Sequence, residues 1–166
     1  QDSILYETKM IPEKTLLSDI SIIIAHGGKD IAHKQYFMAN GSFGNDDIYY
    51  TDITKCIPKP KLVILFICHS GKTTKNLLYE TSQSMQDLLF QRGAQAVIAP
   101  KWPLHTSIPG LWLPIFIEAM KNGKTSFESF STAQDFIYQK QPNAGAWACL
   151  HYFGNPNIKF TMGENK

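Results

Sequence analysis

The chain has 166 residues, 43% of them hydrophobic, and a formal net charge of +2 at pH 7. That length and apolar content fit one α/β domain with its own core, while charges scattered without a dense Lys/Arg stripe give nucleic-acid binding by this segment no support. Three cysteines without a charged and apolar leader argue against a disulfide framework and for a reducing, cytoplasmic setting, and the longest apolar run, Leu62 to Cys68, is too short to span a bilayer.

Residues 1–18 read as an extended N-terminal segment broken at Pro12, and 19–166 as the folded domain. The first strong strand is Ser21-Ile22-Ile23-Ile24-Ala25, ending in His26-Gly27-Gly28. From Lys29 to Lys55, Gly41, Gly44 and Asn45-Asp46-Asp47 separate short alternating runs such as Tyr36-Phe37-Met38, the pattern of a hairpin-like excursion. Pro58 and Pro60 precede a second buried strand, Lys61-Leu62-Val63-Ile64-Leu65-Phe66, which ends in Ile67-Cys68-His69-Ser70-Gly71.

A polar stretch through Thr73, Thr74 and Asn76 leads to a helix over about 78–90, closed by Gly93. Gln95 to Ala99 is the next strand, and 100–109 a loop carrying Trp102. Helices follow over about 111–121 and 126–140, with Pro114 expected in the first turn of the former, where its missing N–H is harmless. Ala146 to Phe153 is the last strand, before Gly154-Asn155-Pro156. Strands separated by helices predict a parallel-rich sheet with helices on both faces.

Cys68 and His26 carry the chemistry of this pattern. Each follows an apolar run of strand length and each is followed at once or nearly so by glycine. Functional groups of α/β sheets collect at the carboxyl ends of strands, and two parallel strands side by side bring thiol and imidazole to one edge. A free thiol is only a few per cent thiolate at neutral pH, so an adjacent imidazole has a role as base or charge partner. Taken singly, a strand-end Cys is usually a small buried hydrophobe and a lone His a structural one.

Two other chemistries fit less well. Phe66 to Thr73 ends in the Gly-Lys-Thr of a phosphate-binding loop, but the glycine that lets such a loop curl around phosphates is replaced by Phe66. Zinc is poorly served, since Cys68 and His69 are adjacent and Cys56 and Cys149 have no partner at finger spacing. No cofactor is expected.

The ordered set His26-Gly27, Cys68 with Ser70-Gly71, Gly93-Ala94-Gln95-Ala96-Val97-Ile98-Ala99 with Trp102-Pro103, and Ala144-Gly145-Ala146-Trp147-Ala148 leading to Gly154-Asn155-Pro156 resembles a CHAT domain, of the caspase-like cysteine peptidases. Cys-His-Ser-Gly is also similar to the nucleophile block of metacaspases. The resemblance runs from about Asp19 to Asn157. It implies a caspase-like fold, a His26–Cys68 dyad, an oxyanion hole from the amides of Gly27 and Cys68, and hydrolysis of a protein substrate through an acyl-enzyme. The family's sheet has six strands and four match here, so the first two are expected upstream of Gln1 or in the N-terminal segment.

The resemblance also implies partners: an upstream TPR region in the same polypeptide, and an activating complex such as an RNA-guided effector. Metacaspases place an Asp two residues before the nucleophile, where this chain has Phe66. The single arginine, Arg92, stands at the far end of a helix. A pocket walled by Phe66 and Trp102-Pro103 is therefore expected to take an apolar or uncharged residue before the cleaved bond. Asp30 and His33 read as exposed loop residues and His69 as structural. The polar stretch 71–84 and the loop 100–110 read as segments that a partner orders. A non-catalytic CHAT-like interaction module is the alternative from a different class.

Overall fold

The computed structural model describes residues 19–30, 35–38, 48–49, 59–68 and 85–160. The N-terminal segment 1–18, the polar stretch from 69 to 84, and His33 and Cys56 lie outside the described residues. In chain order the elements are β1 (Ile20–Ala25), β2 (Gly27–Asp30), β3 (Gln35–Met38), β4 (Ile48–Tyr49), β5 (Leu62–Ile67), α1 (Met85–Gln91), β6 (Ala96–Pro100), α2 (Ile108–Lys121), α3 (Ser126–Lys140), α4 (Ala144–Trp147) and β7 (Leu150–Gly154).

The central sheet has the order β1-β5-β6-β7, and β2-β3-β4 form a separate antiparallel sheet. β1, β5 and β6 are parallel. Every residue of β5 is buried, as a continuous β-branched and aliphatic run covered on both faces must be. Its alternate side chains enter two cores. Leu62, Ile64 and Phe66 pack with Trp112 and Phe116 of α2 and Ile137 of α3, whereas Val63, Leu65 and Ile67 pack with Met85 and Leu89 of α1. Helices thus cover both faces, and the α/β reading holds.

β7 departs from an all-parallel sheet: it runs antiparallel to β6, pairing Ala96 with Gly154 and Pro100 with Leu150. Two helices in succession explain the reversal. The short link 122–125 makes α2 and α3 antiparallel neighbours, so the second helix returns the chain to the end of the sheet that it left at Pro100. Ala146 and Trp147, expected to open the last strand, belong instead to the single helical turn α4, capped by the Asn143 side chain on the Gly145 amide.

α3 occupies the expected residues because its start is written locally. The Thr125 hydroxyl accepts from the Glu128 amide at 3.2 Å, and the Glu128 carboxylate accepts from the Thr125 amide at 2.8 Å, a capping box. α2 begins earlier than expected, at Ile108, with Pro109 in the first turn; Pro114 therefore lies inside the helix on an exposed position, not in its first turn. Gly93 follows α1 at φ +94°, as a helix-terminating glycine does.

Candidate active site

β1 and β5 are paired in parallel register through Ala25 opposite Ile67. Each chain then leaves the sheet. The next residues are His26, a one-residue break before β2 opens at Gly27, and Cys68, the first turn residue after β5. His26 and Cys68 thus follow the paired ends of two adjacent parallel strands, which lie about 4.8 Å apart. Ile24 and Phe66, two residues earlier on each strand, share the face covered by α2 and α3. His26 is exposed and Cys68 is half-buried, so the thiol stands at the mouth of the sheet rather than inside it.

The segment after β6 closes over the sulfur. The Leu104 amide donates to Cys68 Sγ at 3.5 Å. The same segment is tied at its start by the Lys101 amide, which donates to the Cys149 carbonyl at 3.2 Å, and at Trp102, whose Nε1 donates to the Gly145 carbonyl of α4 at 3.3 Å. Near α2, the His105 carbonyl accepts from the Ile108 amide at 3.0 Å, and the His105 ring is hydrogen-bonded to the Ser107 hydroxyl. The loop is therefore held at both ends and over the thiol.

Of the three expected substrate-binding residues, Phe66 belongs to the buried core and Trp102 packs against that same core. Trp102 is half-buried and Pro103, which follows it, is exposed. Phe66 instead lies in the core, 3% exposed, with its ring edge-on to Trp112 at 6.0 Å. Its position is in phase with Leu62 and Ile64, so the pleat turns it into the α2 face. The same placement counts against a phosphate-binding loop starting at Phe66, because Phe66 and Ile67 are still strand. Gly27 stands directly after His26, in register with Met38 of β3. Among the described residues no three His, Cys, Asp or Glu side chains group as metal ligands.

Two neighbours of the site were not legible as such. Cys149 is fully buried and its thiol donates to the Ala146 carbonyl at 2.9 Å; burial pushes the thiol up to about 11, with Cys68 adding to the rise. His151, opposite Ala99 in the ladder, meets Trp102 edge-on at 5.4 Å. Burial, and then the charge of Lys101, hold its imidazole below the usual range, and its Nε2 is buried without a hydrogen-bond partner. A groove of about 540 Å³ lies between β1 and α2, lined by Ile24 and by Pro109, Leu113, Pro114 and Ile117 of α2.

A search for protein families finds no match to the chain, and no curated protein matches its sequence. No helix among the described residues is long and apolar enough to cross a membrane.

Proposed function

We propose that the chain is a cysteine endopeptidase of the caspase-like CHAT type, with Cys68 as nucleophile and His26 as its acid–base partner. The observation that supports this reading is the β1–β5 register: it ends at Ala25 opposite Ile67, so His26 and Cys68 are the residues that follow the carboxyl ends of two adjacent parallel strands. A structural Cys or His has no need of that pairing; a nucleophile and its base do.

In the first half-reaction His26 takes the Cys68 thiol proton as the sulfur attacks the scissile carbonyl and the C–S bond forms. The resulting oxyanion is stabilised by backbone N–H donors, with Gly27 and Cys68 the amides at hand. The C–N bond breaks, and His26 gives its proton to the leaving amine. Water then attacks the thioester while His26 takes a proton from it; the C–S bond breaks, His26 returns that proton to the Cys68 sulfur, and the acid product leaves and ionises to the carboxylate. An apolar side chain before the cleaved bond suits the site, because the half-buried Trp102 and Pro103 offer it no charge. A partner complex joined through an upstream TPR region, such as an RNA-guided effector, is the proposed source of activation.

The test is an electrophilic peptide probe with Leu or Met at the position before the warhead, applied to the full-length polypeptide alone and with candidate partners, followed by peptide mapping. Labelling on Cys68 that is lost in His26→Ala is expected. Labelling on another cysteine, or efficient labelling only by probes carrying Asp or Arg, would overturn the assignment or the specificity respectively.

A further inference from the structure

Trp102 has three features that a groove wall does not require. Its indole N–H is donated to the Gly145 carbonyl of α4 at 3.3 Å, its ring meets His151 of β7 edge-on at 5.4 Å, and two residues further on the Leu104 amide is donated to Cys68 Sγ at 3.5 Å. The side chain is thus fixed to two elements while the backbone that follows it reaches the sulfur.

We infer that Trp102 is a positioning residue: its hydrogen bond to Gly145 holds the segment 102–104 so that the Leu104 N–H meets the sulfur of Cys68. The inference rests on the reading of Cys68 as a nucleophile. It changes the part given to Trp102 from wall to clamp. A short segment between β6 and α2 has few ways to present an amide to a thiol. Lys101 is anchored to Cys149 and Ile108 to His105, which leaves the indole as the link that sets the middle. An N–H donated to sulfur fixes where the sulfur points. Pro103, between clamp and donor, stiffens the connection by fixing its own φ.

The experiment compares wild type with Trp102→Phe, and with a semisynthetic chain in which Trp102 is replaced by benzothienylalanine, which keeps the bicyclic shape and lacks the N–H. The rate at which iodoacetamide alkylates Cys68 is followed by peptide mapping. This readout needs no peptidase activity, so a wrong protease reading and a wrong clamp give different results. Both replacements should slow alkylation about three- to tenfold, the worth of one hydrogen bond, and an ester in place of the Leu104 amide should slow it equally. With a peptide substrate, the same replacements should lower kcat and leave KM within about twofold. Wild-type alkylation with benzothienylalanine would overturn the clamp, since only the shape of the ring would then matter. Unchanged alkylation with a raised KM would also overturn it and return Trp102 to the wall. If Trp102→Phe fails to fold, the benzothienylalanine and ester chains decide.

Discussion

His26 and Cys68 each stand one residue beyond the last paired position of adjacent parallel strands, Ala25 opposite Ile67. The relationship depends on two strands ending at the same level. The chain at His26 leaves at once for the second sheet, opening β2 at Gly27, while Cys68 enters a turn. Neither side chain is needed by the packed core, so chemistry and folding are separable at these positions. Cys68→Ala and His26→Ala should each lower peptidase activity by roughly a thousandfold or more, and the double variant should be no worse than either single one, as for residues that act as a unit. Melting temperatures should stay within about 2 °C of wild type, because exposed and half-exposed substitutions cost little. Additive losses in the double variant would show that the two act independently.

Cys149 provides the contrast within the same edge of the sheet. It is fully buried, donates to Ala146, and has its thiol pushed up to about 11 by burial. In the native protein at pH 7.5, iodoacetamide should modify Cys68 and leave Cys149 untouched until denaturant is added. The raised value also has a sign for stability. The unfolded thiol ionises near 9 and the folded one near 11, so its contribution is complete below pH 9 and declines between pH 9 and 11. Cys149→Ala should remove that part of the alkaline loss while leaving peptidase activity in place.

Much of this arrangement was legible from residue order. The apolar run Leu62–Ile67 read as a covered strand, and the helix over 126–140 stands where it was expected. Other features depend on tertiary context. The direction of β7 follows from two helices in succession, which no local pattern at Leu150 reveals. Pro114 was expected in a first turn, whereas Pro109 takes that place and the helix continues through Pro114. Phe66 looked available because it precedes the nucleophile by two, yet that same spacing puts it in phase with Ile64 and under Trp112. The donor to Cys68 is a backbone amide at Leu104, and a main-chain N–H leaves no mark in the identity of its residue.

His151 gives the fold a dependence on acid. Burial, then the Lys101 charge, depress its folded value below the ordinary one near 6.5, against the opposing Ala148 carbonyl. Below that ordinary value the unfolded chain takes up a proton that the folded one resists. The contribution is therefore complete above pH 6.5 and is lost as the pH falls toward the folded value. Thermal melts should show stability declining from pH 7 to 5, with a shallower decline in His151→Phe, whose ring keeps the edge contact with Trp102. An identical slope in the variant would assign the acid sensitivity to other groups.

Gly154 and Gly110 make opposite predictions for the same substitution. Gly154 closes β7 at φ +101°, and a Cβ there would run into the Gln95 carbonyl oxygen and come within 3.0 Å of Ala96 Cα. Both obstacles are backbone, held by the pairing of β7 with β6, so neither can yield without disturbing the ladder. The left-handed conformation adds its own penalty for any L side chain. Gly154→Ala should cost about 3 kcal/mol or more, a fall in Tm of roughly 6–12 °C for a domain of this size. Gly110 lies in the first turn of α2, exposed, with nothing within 4 Å of a built Cβ. Gly110→Ala should raise stability by up to about 1 kcal/mol, because alanine loses less backbone entropy in a helix. Differential scanning calorimetry of the two variants decides the matter: equal and small shifts would mean that the β6–β7 edge relaxes, and that the close approach at Gly154 is not a constraint on the fold.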